Sequence, residues 1–452
     1  MATFILFMMM QKRSKIRDIL NNIKGEKIMF SGSRSLAIAI AINFVFTGSA
    51  LAVGSGAIRV ELPDAEGLAM GSAFVGEADN AAAVYYNPAG LTQIEGSEFR
   101  QGMSFLQTRN SFTNTSGQEA SMNRQSFWIP SMFIASDFGL EKLTFGFGGT
   151  SYFGLGTAWN EDGLTRYDAT KSDINNRDAM LAAGYQVNEK LSLGLGIDYE
   201  HSTANKSKRL EQTGDPDGTY QLKGTAQGCG YRLSALYKLS EKHQFGLQYR
   251  SSMQEKYRGM VYLDDLAGVN AALIGATAFS LPVTVESELP QSVVLGYSFK
   301  PNEKWTFNFD VEWMDWSSIE QERLVYKDNI TSNQSLVLNN GNPAARDWNG
   351  AMSAGIGGEY KWSDRLRLRG GYFFHQEVIP NATFQSSLPD ANSHSLTTGF
   401  GYDIKENMTL DLTYCGMFFE DREASSGLVS GTIDGTYKNF TNIVSMSLGL
   451  KF

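Results

Sequence analysis

From about residue 98 onward, apolar and polar side chains take turns at every second position, and this alternation constrains the fold more than any other feature of the sequence. Trp305, Phe307, Phe309, Val311 and Trp313 interleave with Thr306, Asn308, Asp310 and Glu312. Leu191, Leu193, Leu195, Ile197 and Tyr199 interleave with Ser192, Gly194, Gly196, Asp198 and Glu200. Successive side chains of a strand point to opposite faces, so each run has one greasy and one polar face. A soluble sandwich shows the same pattern with its apolar face in the core. Here aromatics gather near strand ends on the apolar face, while Gly and charged residues occupy the other. That is the layout of a membrane girdle around a wet lumen. The mean hydropathy of -0.25 is compatible with this, because a barrel hides its hydrophobicity in alternation. Beyond the N-terminal segment, no stretch reaches the roughly 18 apolar residues a membrane helix needs.

Connections alternate in length. Tight turns fall near Asn188–Lys190, Pro301–Glu303 and Lys405–Asn407, among others. Between them lie polar loops rich in Gly, Asn and Asp, at 109–120, 153–173, 209–219, 259–281, 319–345, 378–391 and 421–436. Short turns at one end and long loops at the other mark a transmembrane barrel. Six tight turns and seven long loops predict an all-β, antiparallel barrel of about fourteen strands over residues 98–452, including a single strand at 142–152. The last strand alternates Val444, Met446, Leu448, Leu450 and Phe452 with polar residues and ends on an aromatic. Such an ending resembles the signal read by the outer-membrane barrel-assembly machinery.

The N-terminus reads as an export signal over residues 1–52. Arg34 precedes the apolar run Leu36–Ile42, and Ala50-Leu51-Ala52 offers a small-residue cleavage site after Ala52. Translation from Met29 would leave the signal complete. Of 39 basic and 48 acidic residues, this segment takes seven and two, leaving 32 against 46, a balance of −14. That balance argues against a nucleic-acid partner, which needs clustered positive charge. Cys229 and Cys415 are too few for a disulfide framework, and no His/Cys cluster suggests a metal or other cofactor.

Residues 53–97 break the alternation. The stretch Gly67–Leu91 is rich in small residues and low in charge, and it is expected to plug the lumen, since a fourteen-stranded barrel is wider than the eight-stranded kind that side chains fill. With Asn87-Pro88-Ala89 near its end, this stretch resembles the hatch of the FadL/OmpP1/TodX family of outer-membrane transporters. Leu289-Pro290, Leu295-Gly296-Tyr297, Asp315-Trp316-Ser317, Ile379-Pro380 and Leu388-Pro389-Asp390 follow in the same order as in that family. The resemblance implies passive uptake of hydrophobic compounds, long-chain fatty acids or monoaromatic hydrocarbons, across a Gram-negative outer membrane. Lipid and lipopolysaccharide would surround a monomer. It further implies that ligand displaces the segment near Ile58, that the hatch around Asn87, Pro88 and Ala89 shifts, and that cargo leaves sideways beside a kinked strand, for which Gly148 and Gly149 are candidates.

For capture, loop 259–281 carries Leu266, Val269, Leu273, Ile274 and Phe279, greasier than a solvated loop requires. Two readings are open: an exposed landing patch, or the packed core of a lid. The polar loop 209–219 is short for the groove such a family builds, which leaves Phe153 and Trp159 as replacements. A carboxylate head group wants a cation, and Arg holds one bidentately. Lys208, Arg209 and Arg323 lie where the family places basic contacts, and Arg367 alternates onto the lumen face. The competing reading pairs lumen arginines with Asp198, Glu200, Asp310, Glu312 and Asp411. Two other functions deserve weighing. A hydrolase needs an oriented Ser/His pair, but His394 and Ser395 are adjacent and so face opposite ways. A general porin keeps its lumen open, at odds with a plug.

Overall fold

The computed structural model describes residues 57–60, 63–425 and 433–452. The export signal, its cleavage point and the start codon lie outside the described residues. Fourteen strands follow one another in sequence. They are β1 (Ser97–Asn114), β2 (Gln125–Ser136), β3 (Leu143–Thr150, resuming at Gly154–Ala158), β4 (Lys171–Gln186) and β5 (Leu191–Leu210). Next come β6 (Gly218–Ser240), β7 (His243–Arg250, resuming at Met253–Asp264), β8 (Phe279–Leu289, resuming at Ser292–Asn302) and β9 (Trp305–Met314, resuming at Gln321–Tyr326). The circuit is completed by β10 (Ala351–Lys361), β11 (Leu366–His375), β12 (Ser393–Lys405), β13 (Met408–Phe419) and β14 (Gly435–Lys451). Neighbours pair antiparallel, and β14 returns to β1 from Glu98↔Lys451 to Asn114↔Gly435. The sheet is therefore closed into a barrel, the sheet form that can span lipid.

Its faces are inverted relative to a soluble protein. On β9, Trp305, Phe307, Phe309 and Trp313 are 39–45% exposed on the outside, whereas Asn308, Asp310 and Glu312 between them are 1–6% exposed and point inward. Lipid is the solvent that makes such an exterior stable.

The interior charges are paired. Arg100 meets Asp64 at 2.7 Å and Asp411 at 2.6 Å, Arg369 contacts Glu66 and Asp411, and Arg232 meets Asp198 at 2.7 Å. Buried ion pairs do little for net stability, but removing one partner strands the other at a cost of about 3–5 kcal/mol. Such pairs therefore fix position.

What they position is the segment before β1, which lies inside the barrel. It contains α1 (Ala65–Ala69), α2 (Ala83–Tyr86) and a 3-10 turn, Pro88–Gln93. Its backbone runs directly against glycines of the wall. A Cβ on Gly246 would lie 2.1 Å from the Val75 carbonyl oxygen, and one on Gly357 would lie 2.1 Å from that of Met70. Asp310 accepts the backbone N–H groups of Phe74 and Val75 at 2.8 Å each. Arg100 and Arg369 meanwhile grip Asp64 and Glu66 at the other end of this segment. The single strand expected at 142–152 is broken: the chain leaves the ladder after Thr150 and rejoins it at Gly154.

Candidate functional site

The longer, looped end of the barrel holds a cavity of about 250 Å³. Its walls are mostly apolar: Leu155 and Ile174 from β3 and β4, Leu222 from β6, and Val283 and Val285 from β8, with Trp348 beside them. Inward-pointing alternate residues of consecutive strands build this surface, so strand period and cavity chemistry share one origin. One edge is charged. Glu322, on the inward face of β9, meets Lys206 of β5 at 3.0 Å and Arg346 at 2.7 Å. Two cations thus flank one carboxylate, and Lys223, Glu286 and Glu288 also line the cavity. Glu255 and Tyr257 form a further polar stretch.

Two segments close the cavity, a lid and the stretch at Ile58. The lid is the loop 376–392, which contributes Ile379, Thr383 and Leu388 to the lining. It is held from the side by Trp159, whose indole N–H donates to the Ser386 carbonyl at 2.9 Å. Asp168 accepts from the backbone N–H and the hydroxyl of Ser386, at 2.7 and 2.6 Å. Burial pushes the Asp168 carboxyl above the usual range, with the Ser386 bonds opposing. The segment at Ile58, expected from the sequence to act as a gate, also lines the cavity. Gly154 N–H donates to the Ile58 carbonyl and Val60 N–H to the Tyr152 carbonyl, both at 2.8 Å, and Arg59 pairs with buried Glu312. The inward bend of β3 at 151–153 is thus where residues 58–60 attach.

The same bend opens the wall. β2 pairs with β1 along Gln125–Ser136, but with β3 only from Met132 to Ser136. Residues 125–131 therefore lack a β3 partner. Pro130 lies in this stretch, and proline has no N–H to offer a ladder. At the loop end Asn123 N–H bonds the Ala158 carbonyl at 2.8 Å, so the gap is a bounded window.

Several residues singled out in the sequence are placed differently. Ile58 is at the cavity, but Asn87, Pro88 and Ala89 sit deeper, against β6. There the Asn87 amide donates to the Val75 and Ala235 carbonyls, and Ala89 N–H donates to the Ser234 hydroxyl. Gly148 does not make the bend; a Cβ there would lie 2.6 Å from Phe133 and 3.1 Å from Val84, so it clears room for α2. Gly149 pairs with Met132 and Ala179, still within the ladder, so the bend comes one residue beyond Thr150.

None of the four proposed cations lines the cavity. Arg323 points out of the barrel, because its neighbours Glu322 and Leu324 take the inward positions. Arg209 pairs with Glu161 at 2.9 Å on the outer side, and Arg367 is spent on Asp403 at 2.7 Å near the short-turn end. Lys208 shares the inward parity of Lys206 but lies two residues beyond the cavity. The pairing of lumen arginines with Asp198, Glu312 and Asp411 is observed.

The greasy loop is a packed cap rather than an open patch. Residues 268–274 form α3 (Gly268–Ile274), which lies against α4 (Ser332–Leu338). Leu266 and Ile274 are buried there with Val261, Val283 and Leu338, while Leu273 and Phe279 are half-buried. Val269 alone of the five stays open, at 74% exposure. Phe153 and Trp159 are buried and form no outer groove. Sequence reasoning missed Lys206, Glu322 and Arg346. Lys206 was legible, being two residues inward of Lys208 on the same face.

A family model described as outer membrane protein transport protein (OMPP1/FadL/TodX) matches residues 45–452. The long-chain fatty acid transport protein of Escherichia coli strain K12 is 23% identical over 424 residues, covering 81% of this chain and 91% of that protein. Among solved structures, a Pseudomonas aeruginosa FadL homologue superposes with a TM-score of 0.76 at 16% identity, over 88% of this chain and all of that one (100%). The Ralstonia pickettii toluene transporter TbuX gives a TM-score of 0.68 at 19% identity, over 87% and 99%.

Proposed function

This chain belongs to the OMPP1/FadL/TodX family of outer-membrane transport proteins, and on that premise we propose that it carries long-chain fatty acids inward by passive, ligand-gated passage. The observation that supports fatty acids over uncharged cargo is the pair of cations, Lys206 and Arg346, that share one carboxylate beside the apolar wall. An acyl chain loses water against Leu222, Val283 and Val285, worth about 25 cal/mol per Å² of apolar area. Its carboxylate then competes with Glu322 for Lys206 and Arg346, the two cations that share it. Growth of ligand toward Ile58 frees the gate from the bend of β3, and the window between β2 and β3 gives a sideways exit into the membrane. The similarity to the Escherichia coli long-chain fatty acid transport protein supports this cargo. The similarity to a toluene transporter supports the alternative, a monoaromatic hydrocarbon.

Lys206→Met separates the two readings. It removes one of the two cations while leaving the Arg346–Glu322 pair intact. A charge-assisted hydrogen bond is worth about 1.5–3 kcal/mol, so uptake of labelled oleate at low concentration falls about tenfold or more, with toluene uptake unchanged. Equal oleate uptake by the variant and the parent would remove the carboxylate from the reading. Sucrose flux exceeding both would make the protein a general pore.

A further inference from the structure

We propose that Asp390 is the positioning residue that transmits cavity occupancy to the gate, because one carboxylate holds the lid and the gate segment together. The inference rests on the ligand-gated reading above. Asp390 ends the Leu388-Pro389-Asp390 motif, of which the transport reading uses only Leu388. Its carboxylate is 1% exposed. One oxygen, Oδ1, accepts the backbone N–H of Ala57 in the gate segment at 3.2 Å. The other, Oδ2, accepts the lid N–H groups of Val378 and Ile379, at 2.6 and 3.1 Å. The gate donor and the lid donors lie more than 300 residues apart in sequence, and this one side chain joins them.

The three motif residues divide the work. Leu388 faces the cavity. Pro389 is anchored to the barrel, its carbonyl accepting from the Asn439 side chain at 2.6 Å. Asp390 reaches the gate. A ligand that pushes Leu388 or Ile379 pivots the motif about Pro389 and strains the Ala57 bond. Ala57, Ile58, Val378, Ile379 and Leu388 also share one apolar cluster, so the lid cannot move without uncovering the gate. Two sites biasing one bistable contact are coupled reciprocally: freeing the gate must ease ligand entry by the factor with which ligand frees the gate.

Asp390→Asn tests this at constant size. A carboxamide has one acceptor oxygen and a donor NH2. Whichever way it turns, it cannot accept from both sides, and the tie is cut. Asp390→Glu keeps both acceptors. Hydrogen exchange followed by mass spectrometry on the purified full-length chain in detergent reads the gate peptide and the lid peptide separately, with and without oleate. In the parent, oleate accelerates exchange at residues 57–60 and 376–390 together. In Asp390→Asn without oleate, the gate peptide already exchanges at least tenfold faster, oleate adds nothing there, and Asp390→Glu restores most of the protection. In cells, half-saturation of oleate uptake by Asp390→Asn moves to a concentration about tenfold lower, equivalent to about 1.4 kcal/mol, whereas damage to the cavity alone would raise it.

Parent-like exchange of the gate peptide in ligand-free Asp390→Asn would overturn the proposal. So would loosening that spreads through the barrel strands, since the carboxylate would then be supporting the fold and not a tie. A parent chain that ignores oleate everywhere would sink the fatty-acid reading instead, while the ligand-free comparison still decides the role of Asp390.

Discussion

Asn87→Ala is the sharpest test of whether the lumen segment is a separable element. Asn87 is fully buried, and its side chain reaches three ways. Its oxygen accepts from Ala89 N–H at 3.1 Å, capping the Pro88–Gln93 turn. Its nitrogen donates to the Val75 carbonyl at 2.9 Å and to the Ala235 carbonyl of β6 at 3.2 Å. The residue thus staples two parts of the hatch to each other and to the wall. Loss of the cap costs about 0.5 kcal/mol, at the low end of the usual range, because the Ser234 hydroxyl remains a second acceptor for Ala89 N–H. Each lost donation costs about 1 kcal/mol. Together these give about 2.5 kcal/mol, which raises the undocked population roughly sixtyfold. None of it touches the β14–β1 closure, so the barrel should still migrate as folded on unheated gels. Hydrogen exchange over residues 72–94 should accelerate by a comparable factor, and oleate uptake should fall. Exchange within threefold of the parent, with normal uptake, would refute the idea that hatch docking is an equilibrium of its own.

Gly246→Ala attacks the same docking from the wall: with its Cβ 2.1 Å from the Val75 carbonyl, it forces a shift costing about 1–3 kcal/mol. It should loosen residues 72–94 by hydrogen exchange while assembly stays normal. The lid should respond to pH through Asp168, whose carboxyl burial raises above 3.8. The folded lid then binds more protons than the open one, so its stability is greatest below pH 3.8 and declines as pH rises through the raised value. Lid protection measured across that interval should fall in the parent and fall less in Asp168→Asn.

Strand period carried most of the fold. The alternation at Trp305–Trp313 assigns lipid and lumen faces residue by residue, and the long and short connections count the strands. The cavity was harder to read because strand parity weakens near the loop ends. In Gln321–Tyr326, apolar residues occupy both faces, so Glu322 inward and Arg323 outward could not be told apart from the pattern. Helices of seven residues, such as Gly268–Ile274 and Ser332–Leu338, complete too few turns to announce a period, and their sequences read as loop. The break in β3 was expected at Gly148 and Gly149, yet the bend follows Thr150. What directs it is a tertiary bond, the pairing of residues 58–60 with 152–154, to which local sequence is blind.

The interior explains why a plugged barrel carries so many costly groups. Glycines such as Gly246 and Gly357 let the hatch backbone approach the wall closely, and paired charges such as Arg100 with Asp64 tie its entry to the short-turn end. Neither device adds much net stability, since close approach forfeits side-chain burial and buried ion pairs roughly break even. Both fix where the hatch can sit. The segment at residues 57–60 is held otherwise: by backbone bonds to the bend of β3, by the Arg59–Glu312 pair and by one carboxylate shared with the lid. The gating proposed above, in which residues 57–60 are released while the plug stays, rests on that difference. The deep end is locked by paired charges, and the end beside the cavity by backbone bonds, one buried ion pair and one shared carboxylate.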